Sequence, residues 1–420
     1  KIGQMTQIDQ QFLDTIQDIS DYAIGSLLSG GGSKPKTNNF EAWADMYDKY
    51  QKVALSSRLG IPLIYGVDAV HGHNNVYGAT IFPHNVGLGC ANDYELCRKV
   101  SEITAIEVAA TGINWNFSPC IAIPQDERWG RHYEGYSENV EIVSEMGEAS
   151  IIGYQTTELG SGNHSIVACA KHFIADGATI WGTGMGNQSN KIDRGNAPIS
   201  DSIIRAKYLP PYQKALDAGV GTVMASFNSI NDLKCHANGY LFNDLLKKEL
   251  GFDGFVISDW QGIDEIPGDY KSDIVKSINA GLDMIMVPGA VKGGGEHYKT
   301  FLRLFKEAVD EGLISEERLD DAVKRILRIK FRSGIMENPM TDRTLLKKVG
   351  SDEHKAIARE AVQKSVVLLK NDGILPLSSL KNYYVTGSGC DDIGKQCGGW
   401  TIKWQGGLGN ITSGTSIIDG

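Results

Sequence analysis

Through the first 330 residues, short apolar runs alternate with longer amphipathic stretches. The runs predict strands over 24–28, 62–66, 113–117, 167–170, 222–226, 255–258 and 284–286. The amphipathic stretches predict helices over 94–110, 140–158, 202–218, 243–249, 271–280 and 298–311. Strand-then-helix repetition implies a mainly parallel sheet, because parallel neighbours need a long crossover. Seven or eight such units fit a closed (β/α)8 TIM-like barrel better than an open sheet.

Residues able to do chemistry fall just beyond several predicted strands. Asp68 follows PLIYG, Lys171 and His172 follow VACA, Phe227 follows TVMAS and Asp259 follows FVIS. In a barrel the C-terminal strand ends share one face, so these distant positions would surround one pocket.

The pattern changes after residue 333. The segment 334–350 has the Pro, Gly and Asn content of a linker. Ser351 is an expected N-cap, with Asp352 and Glu353 favourably placed in the first turn. VVLLKNDGILPL (366–377) follows, and YYVTGSG (383–389) reads as the first strand and turn of another α/β domain. The expected organisation is a barrel over 1–333 and the N-terminal portion of a second domain over 351–420. That second part reads as incomplete, because so short a sheet domain would have an unprotected edge and little core.

Composition narrows the picture. The chain has 420 residues, 41% hydrophobic and 22% charged, enough for a large core. A net charge of −10, without a Lys/Arg block, argues against nucleic acid as a partner. No apolar run reaches the length of about 18 residues that a membrane-spanning helix needs. The chain opens at KIGQMTQ, with no signal peptide in this sequence. Seven cysteines without dense spacing make no disulfide scaffold. Cys90/Cys97 and Cys390/Cys397 are each close enough in sequence to close a small loop, whereas Cys120 and Cys169 read as buried thiols. Sequons at Asn163, Asn187 and Asn410 permit secretion.

Five segments combine charge, glycine and aromatics: YGVDAVHGHNNVYGATIFPHNVGLG (65–89), QDERWGRHYEGYSEN (125–139), AKHFIADG (170–177), GFVISDWQG (254–262) and QCGGWTIKWQG (396–406). Such residues can grip a polyhydroxy ligand: charged groups orient hydrogen bonds to hydroxyls, and Trp offers a face to the C–H surface of a sugar ring. By itself SDW leaves two readings of Asp259, a helix cap or a reactive carboxylate.

The long motifs VDAVHGHNNVYGATIFPHN and CGGWTIKWQG resemble glycoside hydrolase family 3, especially its β-glucosidases and plant-type β-D-glucan glucohydrolases. The resemblance runs the length of the chain. It implies a barrel followed by an α/β sandwich that closes one side of the active site. It makes Asp259 the catalytic nucleophile of a retaining exo-acting β-glucosidase, kept ionised with the help of Lys171, Arg131 and the local backbone. It makes Asp68, Arg131, Lys171 and His172 ligands of the −1 sugar, with Glu134 bracing Arg131. Arg128 is the alternative to Arg131. Trp260 and Trp404 would sandwich the +1 sugar, with burial of Trp404 in the second domain as its alternative and Trp400 as the other candidate for that core. Phe227 would be a wall residue, at a position where the family often carries Tyr. The substrates implied are β-linked glucans or oligosaccharides, without a cofactor or metal, in a secreted, periplasmic or lysosomal setting.

Two departures stand out. The cysteine pair that flanks the RWGR segment in plant-type members is replaced by Pro124 and His132. The family's acid/base glutamate belongs to the second domain, and no glutamate follows Trp400 here. The resemblance thus implies that a second chain, or more of this one, supplies it. Other readings are a noncatalytic glycan-binding or truncated inactive homologue, a β-xylosidase, and a ligand-free structural barrel. The loop IADGATIWGTG lacks the Asp-x-His of the family's N-acetylglucosaminidases. His71 and His73 have the spacing of some ligand pairs, but no full metal motif occurs.

Overall fold

The computed structural model describes residues 1–185, 189–288, 297–378 and 382–420. The sequon at Asn187 therefore lies outside the described residues. Eight parallel strands form the barrel: β1 (Thr6–Asp9), β2 (Ser26–Ser29), β3 (Ile64–Val67), β4 (Trp115–Asn116), β5 (Val167–Phe173), β6 (Thr222–Ala225), β7 (Phe255–Ile257) and β8 (Ile285–Met286). Each of β1 to β6 pairs with the next, β1 also pairs with β8, and an Ile257–Met284 bridge closes the ring.

Seven strands match the apolar runs within a few residues. The eighth, β1, has no such run. Thr6, Gln7 and Asp9 are polar yet buried, each with a partner inside the protein. Gln7 Nε2 donates to Ser26 Oγ at 2.7 Å, and Asp9 Oδ1 accepts from Ser33 Oγ at 2.6 Å. Hydrogen bonding rather than apolarity makes these positions tolerable inside.

The barrel interior is filled by large rings. Trp115 meets Phe117 and Phe255 edge-on, with centroids 4.8 and 5.2 Å apart, and donates Nε1–H to Thr222 Oγ1 at 2.9 Å. Gly66 is required beside them, since a Cβ there would overlap the Phe117 ring.

The longer helices are α1 (Phe40–Leu55), α2 (Tyr94–Ala109), α3 (Val140–Gln155), α4 (Pro210–Asp217), α5 (Tyr270–Ala280), α6 (Tyr298–Asp310), α7 (Glu316–Arg332) and α8 (Asp352–Ser365). Side-chain N-caps start most of them: Asn39, Asp93, Asn139, Asp269, Ser315 and Ser351 each accept a first-turn N–H. Helices expected over 202–218 and 243–249 contain π-helical turns, at Ile204–Tyr208 and Tyr240–Glu249. At the N-terminal end of the barrel, Lys330 of α7 is buried and donates to Gly25 O, Pro62 O and Gln4 Oε1 at 2.8–2.9 Å.

The segment 334–350 lies along the barrel. Tyr47 donates to Pro339 O, and Asp48 takes hydrogen bonds from Thr341 and Arg343. Helix α8 docks through a buried carboxylate, with Glu107 Oε1 accepting from Gly350 N at 3.0 Å and lying 2.7 Å from His354 Nδ1. The strand expected at 383–385 does not form. Those residues and 366–369 are exposed and carry no sheet pairing among the described residues, and an isolated apolar run without a neighbouring strand has nothing to pair with. All seven cysteines are free thiols, so neither sequence-adjacent pair is bonded, while Cys120 and Cys169 are buried as expected.

Candidate active site

A cavity of about 730 Å³ opens at the C-terminal ends of the strands, lined by all eight residues expected there: Asp68, Arg131, Lys171, His172, Phe227, Asp259, Trp260 and Trp404.

Its floor is a network of buried charges. Lys171, near the end of β5, donates Nζ–H to Asp68 Oδ1 at 2.8 Å. Burial opposes the Lys171 charge, but Asp68 and Glu134 outweigh it and raise its pKa. Arg131 lies against Glu134 in a two-bond pair, Nε to Oε1 and Nη2 to Oε2, both 2.8 Å. Burial alone would raise the Glu134 carboxyl, yet Arg131 holds it down at about 2. Trp400 adds its indole N–H to Glu134 Oε1 at 3.2 Å. Arg128 points elsewhere: it pairs with Asp126 and lies 4.2 Å over the exposed Trp181 ring.

His172 has one consistent tautomer. Arg131 Nη2 lies 3.0 Å from His172 Nε2 and can only donate, so Nε2 accepts and the ring proton is on Nδ1, 2.8 Å from Asp176 Oδ2. Burial, with Arg131 and Lys171 adding to it, holds the His172 pKa well below the ordinary histidine value, so the ring is neutral.

Asp259 follows β7. Its Oδ1 accepts from Trp260 N at 2.7 Å, and its own N–H donates to His236 Nε2 at 3.0 Å. Gly262 makes room for that imidazole, since a Cβ there would overlap the ring. Asp259 Oδ2 is 3.7 Å from His172 Nε2, which carries no proton to give it, and has no hydrogen-bond partner among the described residues. The carboxylate is thus fixed by one oxygen and unpaired at the other, which is itself buried. Burial pushes its pKa up to about 7, while Arg131, the Trp260 N–H and Lys171 act in the opposite direction and favour the ionised form.

The rim is aromatic. Trp260 is half-buried against the core, and Trp404 is 53% exposed. Trp400 is buried, 6.5 Å from Trp404 between ring centroids, and reaches the cavity as well. Phe227 lies under the Arg194 guanidinium at 5.3 Å.

Several lining residues were not anticipated. Arg194 pairs with Glu265, which also accepts from Lys234 at 2.8 Å, and Asp193 accepts from Trp129 Nε1 at 3.0 Å. These come from loops without strand periodicity, so no pattern marked them. Asp9 also lines the cavity and was missed with β1; recognising that strand would have put it at the reactive face.

A family model described as the Glycosyl hydrolase family 3 N terminal domain matches residues 1–329. A lysosomal beta glucosidase of Dictyostelium discoideum is 32% identical over 460 residues, covering 100% of this chain and 53% of its own length. A beta-xylosidase of Formosa agariphila is 32% identical over 389 residues, covering 88% and 52%. The crystal structure of an exo-1,3/1,4-beta-glucanase from a Pseudoalteromonas species superposes with a TM-score of 0.90 at 38% identity, covering 100% of this chain and 52% of that one. The chain thus spans about half the length of these relatives. It belongs to glycosyl hydrolase family 3.

Proposed function

We propose that this family 3 member is a retaining, exo-acting β-glucosidase or β-glucan glucohydrolase with Asp259 as its nucleophile. The observation that carries the reading is the unpaired Oδ2 of Asp259, buried beside a floor of oriented donors and acceptors. Terminal glucose would sit on that floor, its hydroxyls taken by Asp68, Lys171, Arg131 and His172. The Oδ2 lone pair attacks the anomeric carbon as the bond to the leaving oxygen breaks, giving a glucosyl ester. An acid/base residue protonates the leaving oxygen. It then takes a proton from water, which attacks the anomeric carbon and releases glucose and the Asp259 carboxylate. The family resemblance assigns that role to a glutamate of the second domain. Retaining enzymes hold the two carboxyl groups about 5–5.5 Å apart.

Trp260, Trp404 and Phe227 would wall the +1 sugar. Ring faces ask little of linkage geometry, so both β-1,3 and β-1,4 links are accepted in this reading. The Dictyostelium relative's lysosomal name supports action outside the cytosol.

The test is trapping of the full-length protein with a 2-fluoro-glucosyl donor, followed by peptide mass mapping. The expected result is one glucosyl adduct, on Asp259. A label on any other residue overturns the assignment, and sugar binding with no label favours a noncatalytic glycan-binding protein. The Formosa relative supports a second reading, a β-xylosidase. Faster turnover of aryl xylosides than of aryl glucosides would establish it.

A further inference from the structure

Asn74 and Asn75, in the loop after β3, are 0% and 1% exposed and lie behind the cavity rather than in its lining. The Asn74 amide is fully engaged. Asn74 Oδ1 accepts from Val70 N at 2.8 Å and His71 N at 3.3 Å, while its Nδ2 donates to Asp68 O at 3.0 Å and Trp400 O at 2.7 Å. N–H groups on one side and carbonyls on the other fix the amide's orientation. Asn75 Nδ2 donates to the same Asp68 carbonyl at 2.9 Å, and its Oδ1 accepts from Gly31 N at 3.0 Å. Main-chain bonds complete the junction: Ile402 N donates to Asn74 O at 2.8 Å, and Trp404 N to Gly31 O at 3.2 Å.

Three loops therefore meet on two adjacent side chains. One carries Asp68, one carries Gly31, and one carries Trp400 and Trp404, with Trp400 326 residues away in sequence from Asn74. The aromatic loop has little regular structure of its own, since residues 398–406 form only turns and bends. Its position at the rim comes from what it is tied to. Further ties run through the same barrel loop: Thr401 Oγ1 lies 3.2 Å from His71 Nε2, and the His71 and His84 rings stack at 3.9 Å.

We propose that Asn74 and Asn75 are positioning residues that lock the Trp404 loop to the Asp68 loop, coupling the aromatic rim to the sugar-binding floor. The inference rests on the reading of the cavity as a sugar site with Asp68 in its floor and Trp404 in its rim. The Asn74 amide bridges the two directly and the Asn75 amide does so through Gly31, neither of them lining the cavity. Loss of Asn74 frees the Trp400 carbonyl and one of the two donors on Asp68 O. Loss of Asn75 frees the other donor and the Gly31 strut beneath Trp404. A two-ring ligand spans floor and rim and feels both changes, whereas a one-ring ligand on the floor feels chiefly the loss at Asp68.

The test is calorimetric titration with glucose and with laminaribiose in an Asp259→Asn parent, which does not turn the disaccharide over on the proposed reading, and in Asn74→Ala, Asn75→Ala, Trp404→Ala and the Asn74→Ala/Trp404→Ala pair built on that parent. The readout is the ratio of the two affinities, which does not depend on the folded fraction of a variant. The expected result is a loss of about threefold in that ratio for Asn74→Ala, the size of one net hydrogen bond, with Asn75→Ala moving it the same way. In the Trp404→Ala background, Asn74→Ala shifts the ratio no further, because the residue it positions is gone. An unchanged ratio in both single asparagine variants overturns the inference while leaving the site reading standing, as does an undiminished shift in the Trp404→Ala background. Binding of neither ligand by the parent overturns the site reading and the inference together.

Discussion

At the cavity floor, Asp68, Arg131, Lys171, His172 and Asp259 are buried or nearly so, and named hydrogen bonds of 2.7–3.0 Å fix each of them. At the rim, Trp404 is half exposed, Phe227 is placed by a guanidinium resting on its face, and Trp260 packs on the core by one side. The two regions face the same cavity but hold their shape differently. The floor depends on directional bonds among charges, where loss of one group strands its partner out of water. The rim depends on faces and contact area, which degrade gradually.

The largest expected consequence is at the floor. On the proposed reading, Asp259→Asn keeps the shape but replaces the attacking carboxylate by an uncharged amide, so turnover on an aryl glucoside falls by about 10⁴-fold or more. Steady-state assays, with an unchanged unfolding curve as control, check this. Next comes Glu134→Gln, which leaves Arg131 buried without its counter-charge. Removing one partner of such a pair costs about 3–5 kcal/mol of stability, read from urea unfolding, and glucose affinity falls with it. The same substitution also removes a pH dependence. The Glu134 pKa is depressed by folding, so its contribution is present above the ordinary glutamate value and is lost only as pH falls towards about 2.

With Asp259 as the proposed nucleophile, its protonation sets the pH response of the chemistry. Its pKa is raised to about 7, so acidification through that value protonates the nucleophile, and kcat/KM falls by about tenfold per pH unit below it. Affinity for neutral sugars at the rim should stay flat over the same range. A kcat/KM profile level down to about pH 5 would contradict this reading of the free enzyme. The smallest effect belongs to the rim: Trp404→Ala weakens a two-ring ligand by about tenfold and leaves glucose nearly unchanged. A larger loss for glucose than for laminaribiose would erase the distinction between floor and rim.

The same contrast explains what could be read in advance. The barrel was legible because apolar runs such as those of β5 and β7 recur between amphipathic helices, and strand ends carry their chemistry to one face. The strand β1 was not, because Thr6, Gln7 and Asp9 are buried through partners that no local pattern reveals. The apolar run at 383–385 shows the reverse error: it reads as a strand, yet those residues are exposed and carry no pairing among the described residues. Apolarity permits pairing without supplying the neighbour.

Of the site, the sequence by itself determined which candidate residues gather around the cavity, because carboxylates, Lys, Arg, His and Trp are chemically distinct and stand at recognisable strand ends and motifs. Tertiary structure alone decided their states. Which oxygen of Asp259 is unpaired, which His172 nitrogen bears the proton and whether Arg131 or Arg128 enters the cavity all depend on an imposed rotamer or on neighbours as distant as 41 and 266 residues along the chain. Burial and the field of nearby charges set those states, and both are sums over the packed surroundings, beyond the reach of any local stretch of sequence.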